Sequence, residues 1–86
     1  MRVLIPSALR SYTGAQAWVE ADGATLADLL VDLDQQYPGI RFRMIDEQQR
    51  IRRHIRVFCA GQQLPSIDAP LDGSDEVLIV QALSGG

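Results

Sequence analysis

Lysine is absent from this 86-residue chain, and all eight basic residues are arginines. No side chain therefore offers an ε-amine. Cysteine occurs once, at Cys59, and histidine once, at His54. A lone thiol closes no internal disulfide, and one histidine with one cysteine falls short of a structural zinc site. Long apolar runs are missing too, which argues against a membrane-spanning helix. The opening Met1-Arg2-Val3-Leu4-Ile5-Pro6 lacks the apolar stretch of a signal peptide, so a cytoplasmic protein is expected. The glycines match neither a phosphate loop nor a dinucleotide fingerprint. His54 has no serine pattern near it and falls on the opposite strand face from Cys59, so a nucleophile-base pair is not expected. Catalysis by ordinary side chains is thereby set aside, and the chain is expected not to be an enzyme.

What is present is an ordinary globular composition, 47% hydrophobic and 22% charged. That balance supports folding, and the length suffices for one domain. A core of this size supplies only a few kcal/mol of net stability and leaves little room for a deep cleft. The net charge is -3, yet six of the eight arginines fall between Arg41 and Arg56, whereas Asp68, Asp72, Asp75 and Glu76 make the stretch before the end acidic. Such asymmetry implies a polar partner surface. Nucleic acid is a poor fit, because the arginines are not interleaved with a row of stacking aromatics.

Residues 2–6 and 15–20 alternate in the manner of short strands, with Val3, Ile5, Ala17 and Val19 inward and a turn at 11–14. Thr25 can cap a helix, and Leu26, Leu29, Leu30 and Leu33 follow at i, i+3, i+4 and i+7. Tyr37-Pro38-Gly39 ends it. Residues 39–53 read as an irregular helical turn in which Ile40, Met44 and Ile51 pack while the arginines stay wet. A strand over 54–60 places Ile55, Val57 and Cys59 on one face and His54, Arg56 and Phe58 on the other. A turn leads to a short extended piece, 65–73 reads as loop, and 76–82 forms the last strand. A ferredoxin-like sandwich would need a second long helix, which 65–73 is too short and too rich in breakers to hold. The remaining architecture is an α+β β-grasp, a mixed sheet of four to five strands with one main helix across it. Its expected core is Val3, Ile5, Val19, Leu26, Leu30, Ile55, Val57, Val77 and Ile79. The domain spans 1–82, and 83–86 forms a flexible Gly-Gly tail.

The chain closes with Leu83-Ser84-Gly85-Gly86 directly after a strand. Without Cβ atoms, two glycines can enter a channel too narrow for any side chain. "YPGI" at 37–40, "RVFCAGQQL" at 56–64 and "LDGSDEVLIVQALSGG" at 71–86 together resemble the ubiquitin-like sulfur carriers related to the small subunit of molybdopterin synthase and the thiamine sulfur carrier. The order of elements matches over essentially the whole chain. The long 39–53 connector looks more like the molybdopterin-type and cysteine-biosynthesis-type carriers. Two features depart from the family pattern: Ala60 stands where asparagine is frequent, and "QALSGG" replaces a proline-bearing approach.

This resemblance implies that an E1-like adenylating enzyme uses ATP to convert the Gly86 carboxylate into an acyl adenylate, and that sulfur then replaces AMP. A sulfur-accepting biosynthetic enzyme would consume the thiocarboxylate. The chain itself binds no cofactor and no metal in this reading, and neither nucleic acid nor membrane is a partner. Leu83, Ser84 and Gly85 form the tail, while Phe58, Leu78 and Val80, with Arg56 beside them, form an exposed patch for the activating enzyme. The missing lysines fit an activated C-terminus, because no ε-amine can consume it; drift from lysine to arginine accounts for them equally well. Two alternatives stay open, a dedicated molybdopterin synthase small subunit and a ubiquitin-like modifier or plain binding module.

Overall fold

A computed structural model describes residues 1–72 and 76–82. Five strands build one mixed sheet: β1 (Arg2–Leu4), β2 (Trp18–Glu20), β3 (Ile55–Cys59), β4 (Gln62–Gln63) and β5 (Val77–Gln81). Their order is β2-β1-β5-β3-β4. β5 lies at the centre, parallel to β1 and antiparallel to β3, and the two outer pairings are antiparallel. Helix α1 (Leu26–Gln36) lies across the sheet, which makes the fold a β-grasp. No helix among the described residues is long and apolar enough to cross a membrane.

The leucine stripe drives α1 onto the sheet. Leu26, Leu29, Leu30 and Leu33 are all at most 1% exposed, and they share one core cluster with Val3, Val57, Val77 and Ile79 from the strands and with Ile5 just after β1. Burying each leucine is worth about 1.5 to 3 kcal/mol relative to leaving it in water. All nine residues of the expected core are buried. Thr25 caps α1 as its sequence suggests, its Oγ1 accepting the Asp28 N–H at 3.3 Å. The two preceding orphan amides are satisfied from a distance: Leu26 N–H donates to the Ala69 carbonyl at 3.0 Å and Ala27 N–H to that of Ile67 at 2.8 Å. The breaker-rich loop therefore caps the helix, and Ile67 is buried with it.

Two segments depart from the sequence expectation. The segment expected to turn at 11–14 between two longer strands is instead a 3-10 helix over Ser7–Thr13, closed by Gly14 at φ 63°. The flanking strands are correspondingly short, because Pro6 offers no N–H to a ladder and Ala15 has φ 70°. Leu9 and Thr13 bury its inner side, and the Thr13 hydroxyl donates within reach of two carbonyls, Gln16 at 2.8 Å and Arg10 at 3.2 Å. In the connector, the irregular turn proves to be a five-residue helix, α2 (Ile40–Met44), followed by an isolated bridge between Ile45 and Ile51. Ile40, Met44 and Ile45 are buried, Ile51 is half-buried, and the Asp34 carboxylate of α1 accepts the N–H groups of Gly39 at 3.1 Å and Arg41 at 3.2 Å.

Candidate functional site

The alternation of β3 and β5 separates the two faces of the sheet. In β3, Ile55, Val57 and Cys59 are buried toward the helix while Arg56 and Phe58 are half-buried on the other face. In β5, Val77 and Ile79 are buried, and Leu78 and Val80 are half-buried. The ladder sets Phe58 opposite Leu78 and Arg56 opposite Val80. These four residues therefore share one face, as expected. They are half-buried in a packed sheet rather than freely exposed, because each shields its cross-strand neighbours.

The apolar row extends beyond the residues expected from the sequence. Leu78 also pairs with Leu4, and Leu4 with Trp18, so Trp18, Leu4, Leu78 and Phe58 run across four strands. The signal was present in both N-terminal strands, where an apolar residue sits between two inward ones. One end of the row is framed by charge: the Arg2 guanidinium lies 4.1 Å from the centre of the Trp18 ring and donates to Glu76 at 2.9 Å. Arg56 turns its guanidinium back onto backbone carbonyls, those of Arg53 and, at 3.2 Å, Ile55. Within the connector, α2 packs against α1 and the 3-10 helix.

Cys59 is 7% exposed on the helix side and His54 is half-buried, so the strand separates them and no nucleophile-base pair forms. Among the described residues no group of His, Cys, Asp and Glu could hold a metal ion. The described residues of this face present a surface of apolar side chains. At the end of β5, Ala82 N–H donates to the His54 carbonyl at 2.7 Å, extending the ladder by one bond. The expected reactive residue Gly86 and the tail residues Leu83, Ser84 and Gly85 lie outside the described residues.

A central last strand, one helix across a mixed sheet and an apolar open face are joined by a match to the ThiS family over residues 3–86. The chain belongs to the ThiS family. It is 30% identical over 89 residues to the sulfur carrier protein CysO of Mycobacterium tuberculosis, covering 98% of this chain and 96% of that protein. A chain in the crystal structure of the Amycolatopsis orientalis BexX/CysO complex superposes with a TM-score of 0.90 at 31% identity, covering 99% of this chain and 98% of that one. The small archaeal modifier protein 3 of Haloferax volcanii is 29% identical over 72 residues, covering 80% of this chain and 77% of that protein.

Proposed function

We propose that this protein is a sulfur carrier whose working group is the Gly86 carboxylate. The observation that carries the reading is the full-length similarity to CysO proteins, with the family match running through residue 86. In this scheme the carboxylate attacks the α-phosphate of ATP on an E1-like enzyme, pyrophosphate leaves, and an acyl adenylate forms. Hydrosulfide from the sulfur source then adds to the acyl carbon, the acyl–phosphate bond breaks as AMP departs, and loss of the sulfur proton leaves a thiocarboxylate. Activation is needed because a carboxylate is a poor electrophile, whereas the mixed anhydride has a good leaving group. The thiocarboxylate sulfur is polarizable and passes to a second, sulfur-accepting enzyme, for which the chain acts as a protein cosubstrate. Resemblance to CysO favours the cysteine-biosynthesis type of carrier over a molybdopterin synthase subunit.

The row of Phe58, Leu78, Leu4 and Trp18, with Val80 and Arg56 at its side, is the docking face we assign to the activating enzyme. Aromatic and aliphatic side chains rimmed by charge suit an interface centre. A second reading is a protein modifier that forms amide bonds through Gly86, and the similarity to an archaeal modifier protein favours it. One experiment separates them. The chain is incubated with each E1-like enzyme of its host, ATP and a sulfur source, and its intact mass is measured. Sulfur in place of one terminal oxygen supports the carrier, protein adducts support the modifier, and an unchanged carboxylate with every such enzyme refutes both. Deleting Gly86 should abolish the reaction.

A further inference from the structure

The end of the sheet from which the chain leaves β5 carries a second feature, separate from the apolar row. A groove of about 450 Å³ runs between the 3-10 helix, α2 and the start of β3, with Tyr12, Phe42, Arg43, Arg52, His54 and Gln81 among its walls. Among the described residues no carboxylate lines it. Two guanidinium groups are held in place there through one N–H each. Arg43 Nε donates to the Tyr12 hydroxyl at 2.8 Å, and Arg52 Nε donates to the Phe42 carbonyl at 2.9 Å. Arg52 also lies 4.9 Å from the centre of the Phe42 ring. Among the described residues neither arginine has an ion-pair partner, the pairs there being those of the N-terminal ammonium with Glu20 and Asp22 and of Arg2 with Glu76.

Each guanidinium has five donors in a rigid fork, so pinning the Nε leaves the terminal nitrogens oriented for an incoming carboxylate. Phe42 stands beside them 55% exposed, an unusual position for a phenylalanine in a chain whose other aromatic residues are at least half-buried. The protein as a whole is acidic at -3, so this cationic aromatic groove is a local inversion of its surface charge. Its location also matters. Gln81 is in its wall, and Gly86 follows Ala82 by four residues, which span at most about 14 Å. An enzyme that acts on Gly86 therefore works within about 14 Å of Ala82, at the end of the sheet that carries this groove.

Resting on the carrier reading above, we propose that the groove docks an acidic segment of the E1-like activating enzyme. Carboxylates of that segment engage Arg43 and Arg52, and an apolar side chain packs on Phe42. The contact holds the partner at the end of β5 and adds a salt-sensitive component to recognition beside that of the apolar row.

The test has two arms, each with wild type, R43Q/R52Q and Phe42→Ala. In the first, the full chain is titrated with the synthetic peptide Glu-Glu-Leu-Glu-Glu and followed by amide NMR. Shifts centred on Tyr12, Phe42, Arg43 and His54, weakened at least fivefold in R43Q/R52Q and fading in 0.5 M salt, are expected. No shifts at millimolar peptide, or equal shifts in the double variant, overturn the groove. In the second arm, kcat/KM for Gly86 adenylation by the host's E1-like enzyme should fall at least tenfold in R43Q/R52Q at low salt, the gap closing at high salt. Phe42→Ala, an exposed position, guards against misfolding as the cause and should lose affinity with an unchanged melting temperature. If wild type is never adenylated, the carrier reading fails and takes the partner assignment with it, whatever the peptide shows. Equal adenylation of wild type and double variant instead overturns the groove proposal alone.

Discussion

Gly23 sets the distance between α1 and the segment that follows β2, and replacing it with alanine probes that packing directly. A Cβ at this position would lie 2.3 Å from the backbone nitrogen of Leu29, 2.8 Å from the Asp28 carbonyl carbon and 2.9 Å from the Asp28 Cβ. The shortest of these is more than an ångström inside ordinary contact, and two of the three neighbours are helix backbone atoms. Neither side can yield easily. Leu29 N–H is bonded to the Thr25 carbonyl at 3.1 Å, and Asp22 N–H donates to the Asp32 carboxylate of α1 at 2.9 Å, tying the two segments together. Overpacking of this kind costs about 1 to 3 kcal/mol, and more when backbone must move. Alanine also restricts the unfolded chain, which offsets ~0.4 to 1 kcal/mol. The clash wins, and a net loss of about 2 kcal/mol is expected. In a domain of this size that lowers the melting temperature by roughly 8 to 16 °C. Urea denaturation of G23A beside wild type measures it, with the slope of the transition as a control on the unfolded state. A loss under about 0.5 kcal/mol, or any gain in stability, would show that α1 is free to shift away and that the close approach is not needed.

Leu30 is 1% exposed at the centre of the stripe, so Leu30→Ala should cost about 2 to 5 kcal/mol in the same assay. A change typical of surface sites would remove it from the core. Leu78→Asp places a charge in the middle of the open apolar row, flanked by Leu4 and Phe58; binding to the activating enzyme should weaken by ~2 kcal/mol or more, read by calorimetry, while the helix-side core stays intact. Full affinity in that variant would move the interface off this face. Asp46 closes the 46–50 loop, its Oδ1 accepting the Arg50 N–H at 3.0 Å and the Gln48 N–H at 2.9 Å. The Arg50 amide first, then that of Gln48 and the charges of Arg50 and Arg52, hold its carboxyl below the usual value of 3.8. Because the folded state favours the carboxylate, the contribution is present above that value and fades as pH falls through the lowered one. Protection of the Gln48 and Arg50 amides relative to intrinsic exchange should therefore persist down to the usual carboxyl value and be lost below it, and loss beginning near neutral pH would contradict the assignment.

Local chemistry was enough to read most of the elements. The four leucines at helical spacing, the threonine before them and the proline-glycine exit located α1. Strict alternation in β3 and β5 sorted Phe58, Leu78 and Val80 from Ile55, Val57, Val77 and Ile79, since a period of two assigns faces before any partner strand is known. The acidic, apolar and Gly-Gly order near the end carried the family resemblance. Other features depended on groups far apart in the chain. The 3-10 helix over Ser7–Thr13 has no amphipathic signature of its own, because only Leu9 and Thr13 turn inward. Capping of α1 by the carbonyls of Ile67 and Ala69 joins segments some forty residues apart. Register decided that Trp18 and Leu4 continue the row begun by Phe58 and Leu78. The grouping of Tyr12, Phe42, Arg43 and Arg52 arises only once β1, β3 and β5 are aligned. Parallel pairing of β1 with β5 and antiparallel pairing of β5 with β3 carry residues 7–13 and the 39–53 connector to the end of the sheet where β5 stops. Periodicity records which way each side chain faces, but long-range pairing determines its neighbours, and both surfaces assigned here consist of such neighbours.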